Sequence, residues 1–245
     1  MEDAYSGYEY HRFRRRKNHV FLIISVIALL IIVVFCANLI FGFVSLKKSS
    51  KAVIVNCPQV TFYINTSDEY SKKSDAILKA TEIKSGGGSG YIFFDNDVWR
   101  VVNDISNEQS DGMMPISTPN ASIDISDEDQ KELFETVIGT FKTNFDILCG
   151  FCSQFEDGII TAEEVSNSSR AIYNQLVDLT GEIEILQTNS ANQIYSTIMT
   201  YLTRQMFGLS LIWLDGTNEN FSWVLKNASS WIIFAYLDLT NDFKK

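Results

Sequence analysis

Histidine is absent beyond His19 in this chain of 245 residues. That absence removes Ser-His-Asp and Cys-His nucleophile systems, and every zinc site built on imidazole, from everything that follows. Charge is absent from Val20 to Leu46. Proline is scarce, and Pro115 and Pro119 mark a loop-like stretch, Asn107 to Pro119. The four cysteines, Cys36, Cys57, Cys149 and Cys152, do not form the framework of a disulfide-stapled secreted scaffold. No other uncharged apolar stretch reaches the roughly 18 residues that a spanning helix needs.

The run that lacks charge is the most informative stretch present. Val20 to Leu46 is 27 residues long and almost wholly apolar. That is long enough to cross the ~30 Å hydrocarbon core as a helix, the one single-segment structure that satisfies its own backbone there. Arg12, Arg14, Arg15, Arg16 and Lys17 precede it, and Lys47, Lys48 and Lys51 follow. The heavier positive flank places the N-terminus in the cytoplasm and the remainder outside. A cleaved signal peptide has an apolar core of about 7–15 residues, and this one is far longer. The expected organisation is a basic tail (1–19), a membrane helix (20–46), a stalk (47–59), a small α/β module (60–125) and a helical bundle (126–245).

After Lys51 the chain holds 12 Lys and Arg against 27 Asp and Glu, a net of −15. A field of that sign repels nucleic acid, so no nucleic-acid partner is expected. Cys149-Gly-Phe-Cys152 has redox or half-zinc spacing but sits in a helical apolar pattern with no second pair. Core cysteines are the expectation, with no metal and no cofactor. The Gly86–Gly90 stretch lacks the order of a phosphate loop and leads into a strand, so it reads as a helix-to-strand turn. The carboxylates read as solvated surface acids.

Val60 to Ile64 is β-branched and aromatic and reads as a strand. Ser71 to Ile83 has helical spacing at Ala76, Ile77, Ala80 and Ile83. Tyr91 to Phe94 and Val98 to Val102, joined by Asp95-Asn96-Asp97, read as a hairpin. Ala121 to Ile125 reads as a short strand. From Ser126 onward the pattern is helical. Phe134, Val137, Phe141, Phe145, Leu148, Cys152 and Phe155 mark one stripe, and Thr161 with Glu164 makes a capping box before the next helix. Val165, Ile172, Leu176, Leu179, Ile183 and Leu186 mark the second stripe. Ile198, Leu202 and Leu209, then Val224, Ala228, Ile232 and Ala235, mark two more, and short breaks between long amphipathic helices predict an antiparallel four-helix bundle.

Phe62-Tyr63-Ile64-Asn65-Thr66-Ser67-Asp68-Glu69-Tyr70, followed by Ala76, keeps the spacing of the first segment of a SPOR (sporulation-related repeat) domain. Thr66 stands where Gln is usual there, and Asp68 where Gly is usual. Gly87-Gly88-Ser89-Gly90-Tyr91-Ile92 and Trp99-Arg100-Val101 match its later segments. The chain thus resembles a divergent, membrane-anchored SPOR protein of a Firmicutes-like bacterium over about residues 60–125. Gly112 and Pro115 truncate the second helix that the family's βαββαβ order calls for. The resemblance implies a peptidoglycan-binding module acting in cell division or sporulation, with Tyr63, Tyr70, Tyr91 and Trp99 stacking on sugars and Arg100 hydrogen-bonding their substituents. The amidases that often carry such domains need histidines that are missing here, so no enzymatic activity is expected.

The expected fold class is therefore α+β: one transmembrane helix, a SPOR-like module and a four-helix bundle. Two other readings stay open. One is a non-catalytic interaction protein that recruits a protein partner through its helices. The other is a viral or eukaryotic type II membrane glycoprotein, with Asn-X-Ser/Thr triplets at Asn65, Asn120, Asn167, Asn220 and Asn227. Protease supplied outside intact cells is expected to digest the chain beyond Lys51 and spare the tail. Labelling of the N-terminus on intact cells would contradict that topology.

Overall fold

The structure, a computed structural model, describes residues 53–125, 128–189, 193–215 and 221–244. The span expected over Val20–Leu46 and the basic tail lie outside the described residues. No helix among the described residues is long and apolar enough to cross a membrane.

Among the described residues six strands precede four long helices, and one helix lies among the strands. β1 (Val53–Cys57) pairs antiparallel with β6 (Ala121–Ile125). β2 (Thr61–Thr66), β3 (Tyr91–Asp95), β4 (Val98–Ser106) and β5 (Met114–Ser117) form a second sheet in the order β3-β4-β2-β5. β2 and β3 are each antiparallel to β4 and so run parallel to one another with β4 between them. The helix α1 (Lys73–Ser85) makes the crossover, which gives a split β-α-β unit. Ala76 and Ala80 of α1 cover Val101 on the outer face. Asn96 and Asp97 both have positive φ, 48° and 64°, the signature of the type I′ turn that closes tight hairpins.

The helices are α2 (Lys131–Glu156), α3 (Ala162–Asn189), α4 (Gln193–Leu214) and α5 (Phe221–Asp242). The capping box is in place: the Thr161 amide donates to Glu164 Oε2 at 2.8 Å, and the Glu164 amide donates to Thr161 Oγ1 at 3.2 Å. These hydrogen bonds hold the Glu164 carboxyl below its usual range.

The expected fold class is corrected on three points. First, the sheets and helices are not a module beside an independent bundle. α5 packs on α4 and α2 and also on β3, β4 and β6, and one continuous apolar core runs through all of them. Ile233, Phe234 and Tyr236 give α5 a second buried face that the single-stripe reading overlooks. The helices lie in the order α2-α5-α4-α3, and the consecutive pair α2 and α3 touches sparsely, so they do not close into a four-helix bundle. Second, residues 53–57 of the expected stalk are a strand: Val55 and Cys57 of β1 are buried and β1 packs on α2. Third, among the described residues no second module helix stands between β4 and β6. Met114–Ser117 instead pairs with β2, where Pro115 is tolerated because β5 is an edge strand.

Phe234 is the joint. Its ring lies 5.7 Å from Phe62, 4.9 Å from Tyr91 and 4.9 Å from Phe93. Phe62 in turn meets Phe145 of α2 edge-on at 6.1 Å. The Gly-rich turn is fixed to the same helix. Asn227 Nδ2 donates to the Ser89 carbonyl at 2.8 Å, and the Ser89 and Ser230 hydroxyls are 2.8 Å apart. Gly90 has φ +61°, and a Cβ there would stand 2.7 Å from the Ala80 carbonyl oxygen, so the turn needs glycine. Asn227 is almost fully buried, which rules it out as a glycan acceptor. Phe234→Ala is expected to cost about 3–5 kcal/mol and to lower the melting of sheet and helices together. Near-UV and far-UV circular dichroism that melt at separate temperatures would show two independent units instead.

Candidate functional site

The hairpin end of the four-stranded sheet carries the site that the geometry assembles. After β2 the chain stays beside β4. The Ser67 amide donates to the Val101 carbonyl at 2.9 Å, and Tyr70 and Trp99 exchange backbone hydrogen bonds of 2.9 and 2.8 Å. Tyr70 and Trp99 are thereby neighbours and pack at the edge of the small cluster under α1. Across the hairpin, Trp99 pairs with Phe94, and their rings are 4.8 Å apart. The Lys73 ammonium lies 5.0 Å above the Trp99 ring. Phe94 remains 56% exposed, a large apolar ring presented to solvent beside polar Asp95, Asn96 and Asp97.

Arg100 follows Trp99 on β4 and so faces the other side of the sheet. Its guanidinium pairs with Glu69 and stands 4.0 Å from an Asp95 oxygen, while Nε is buried without a hydrogen-bond acceptor. This arginine holds the Glu69 segment against the hairpin.

Of the five residues picked out in the sequence, the structure brings Tyr70, Trp99 and Arg100 to one end of the sheet. Tyr63 pairs with Ser106 at the far end of β4, seven residues or roughly 23 Å from Trp99. Tyr91 lies in the core between Trp231 and Phe234, at ring separations of 5.2 and 4.9 Å. Burial raises its phenol pKa, with only partial relief from Arg204. It cannot stack on a ligand. Phe94 and Lys73 are the members that the sequence reading left out. The hairpin register already set Phe94 opposite Trp99, so that pair was within reach.

The remaining chemistry-bearing groups are committed to packing. Cys149 and Cys152 share a face of α2 as free thiols, and burial pushes both up to about 12. Cys57 is pushed up to about 11 by the same cause. The seam between α2, α5 and β4 holds Lys226, whose Nζ lies 2.9 Å from Glu156 and 3.3 Å from Asp104. Burial pushes the Glu156 carboxyl up, but hydrogen bonds from Ser222 and Lys226 outweigh it and leave it below its usual range. Arg204 pairs with Asp238 at 2.7 Å over the rings of Tyr201 and Trp231. Among the described residues no group of three His, Cys, Asp or Glu is placed to hold a metal.

No family model matches the chain, and neither any curated protein nor any solved structure shows significant similarity to it.

The thiolate is the reactive form, and a pKa near 12 leaves only about one thiol in ten thousand ionised at pH 8. Cys149 and Cys152 are therefore expected to stay unmodified by iodoacetamide in the folded protein at pH 8 and to react fully in guanidinium. Peptide mapping by mass spectrometry reads this directly. Rapid alkylation of either in the folded state would contradict this account of their reactivity.

Proposed function

We propose that the protein is a non-catalytic, membrane-anchored glycan-binding protein of the cell envelope. In this reading Val20–Leu46 tethers it, the basic tail is cytoplasmic, and the folded part lies outside and holds peptidoglycan strands during division or sporulation. The observation that carries the reading is the exposed Phe94 ring against the half-buried Trp99 ring, beside Tyr70 and Lys73. Paired aromatic faces bury the apolar face of a sugar ring, and nearby polar groups take its hydroxyls. Here those groups are Lys73, the Tyr70 hydroxyl and the Asp95–Asp97 turn. The SPOR resemblance over about residues 60–125 is what suggests peptidoglycan as the polymer. The resemblance's Tyr63 and Tyr91 are dropped from the site, because one lies far off and the other is core.

A second reading, an interaction protein, draws on Ile77 and Leu78 of α1, which are 48% and 72% exposed and give that helix an outward apolar surface.

Co-sedimentation with purified peptidoglycan separates the two. The chain from Ala52 onward is expected to be retained. Trp99→Ala and Phe94→Ala should each weaken retention about tenfold, the scale of one lost stacking contact, with unchanged circular dichroism. Added salt should matter little, because the net charge of −15 offers an anionic polymer no ion pairs to screen. No retention of the parent chain at any salt removes the glycan reading and leaves the interaction reading.

A further inference from the structure

β3 is one edge of the four-stranded sheet, and β5 is the other. A sheet edge is a row of unpaired N–H and C=O groups that recruits another strand unless something blocks it. β5 is blocked by Pro115, which has no N–H to offer. β3 holds no proline, and Tyr91 to Phe94 carries no charge. Trp99 and Tyr70 exchange backbone hydrogen bonds, and the Val101 carbonyl accepts from Ser67, so these two β4 residues point their groups away from β3. Their partners across the ladder, Phe94 and Ile92, therefore turn their own N–H and C=O to the open side. No backbone partner among the described residues takes them up.

The space beside this edge has a floor and a wall. Arg204 of α4 reaches the Tyr91 hydroxyl at 3.5 Å, and the Trp231 ring stands 5.2 Å from Tyr91 and 4.9 Å from Phe207 of α4. α5 takes the place beneath β3 and β4, so α4 lies beneath the open side. The helix layer thus runs one helix past the sheet, and Phe207 is left 48% exposed there. On the outer face, Lys73, Ile77 and Lys84 share one side of α1, four and seven residues apart. Lys73 stands over Trp99, and a Cβ on Gly90, the residue before β3, would lie 2.5 Å from Lys84 Cγ. That side of α1 borders β3, so the exposed side chains of Ile77 and Phe94 flank the edge from the outer face. Asp95 and Asp97 mark the hairpin end of the edge, and Lys84 marks the other.

We propose that the β3 edge binds one extended segment of a partner protein as an added antiparallel strand. Its chemistry follows from the surroundings. Apolar side chains at alternate positions lie over Trp231 and Phe207, and β-branched ones between them face Ile77 and Phe94. Basic residues at its N-terminal end meet Asp95 and Asp97, and an acidic residue at its C-terminal end meets Lys84. A second copy of the chain does not fit: joining two β3 edges would drive α4 of each beneath the other's sheet, where α5 already lies. The strand pairs with backbone groups and rests on the inner ledge, so this site does not depend on the glycan reading of the Phe94 and Trp99 rings.

Fluorescence anisotropy tests it, with the full chain in detergent micelles titrated into a labelled peptide, Arg-Arg-Val-Thr-Val-Thr-Val-Glu. Saturable binding is expected, about tenfold weaker when the end charges are exchanged, and none for a counterpart N-methylated along its backbone, which has no N–H to donate. Phe94→Pro removes one outward N–H and no ladder bond, and Phe207→Ser removes the ledge ring; each should weaken binding about tenfold, while Trp99→Ala leaves it unchanged. Hydrogen exchange gives a second readout. The Ile92 and Phe94 amides should exchange fast in the free chain and about tenfold more slowly with saturating peptide, with Phe93 slow in both. No saturable binding, equal binding of the N-methylated peptide, parent-like affinity in both Phe94→Pro and Phe207→Ser, or a dimer of the chain that excludes the peptide would overturn the proposal.

Discussion

Phe234 touches aromatic rings from two strands of the four-stranded sheet, and one of those rings, Phe62, touches α2. The helix that carries Phe234 is buried nearly all round, from Phe221 to Thr240. A helix with apolar side chains on every face has no stable position at a surface. It must be enclosed, and here the second sheet, α2 and α4 enclose it. Each aromatic pair at the joint adds about 0.5–1.5 kcal/mol beyond its buried area, so the joint is among the strongest contacts in the molecule. The placement of the other elements follows. The sheet's inner face is occupied by α5 and its outer face by α1, which leaves the hairpin end free to meet a ligand.

Charge is handled by pairing at the seams. Lys226 spans α5, β4 and the end of α2, and Arg204 ties α4 to α5 through Asp238. Both cations sit over or between partners that satisfy them, so each seam combines apolar burial with a directional contact that fixes register. Most carboxylates stay in solvent and give the folded part its negative field. In the proposed role, affinity for a sugar polymer arises from stacking and neutral hydrogen bonds at the Phe94–Trp99 surface.

Much of the fold is legible in the chain. The stripes through Phe134–Phe155 and Val165–Leu186 mark two helices, Thr161 with Glu164 marks a helix start, and Asp95-Asn96-Asp97 marks the hairpin. These are local signals of period and turn chemistry. What escapes is non-local. Val53, Val55 and Cys57 alternate as a strand should, but their partner, Ala121–Ile125, lies far along the chain, so the segment reads as a stalk. The segment from Asn107 to Pro119 reads as a loop-like stretch, and the strand character of Met114–Ser117 appears only once β2 offers an edge. In α5, Ile233, Phe234 and Tyr236 sit between the residues of the expected stripe. Their presence signals a second partner without naming it. The site was half legible for the same reason: Trp99 and Tyr70 stand on local motifs, while the fate of Tyr91 depends on a helix more than a hundred residues later.

The central claim is that enclosure of α5 makes sheet and helices one cooperative unit. Native-state hydrogen exchange tests it most directly, because it resolves the opening free energy of each element. The account predicts that the most protected amides of β3 and β4 and those of α5 open with the same free energy and respond equally to denaturant. Strand amides that exchange at a distinctly lower free energy, with α5 still protected, would show that the sheet is a separate module and contradict the account.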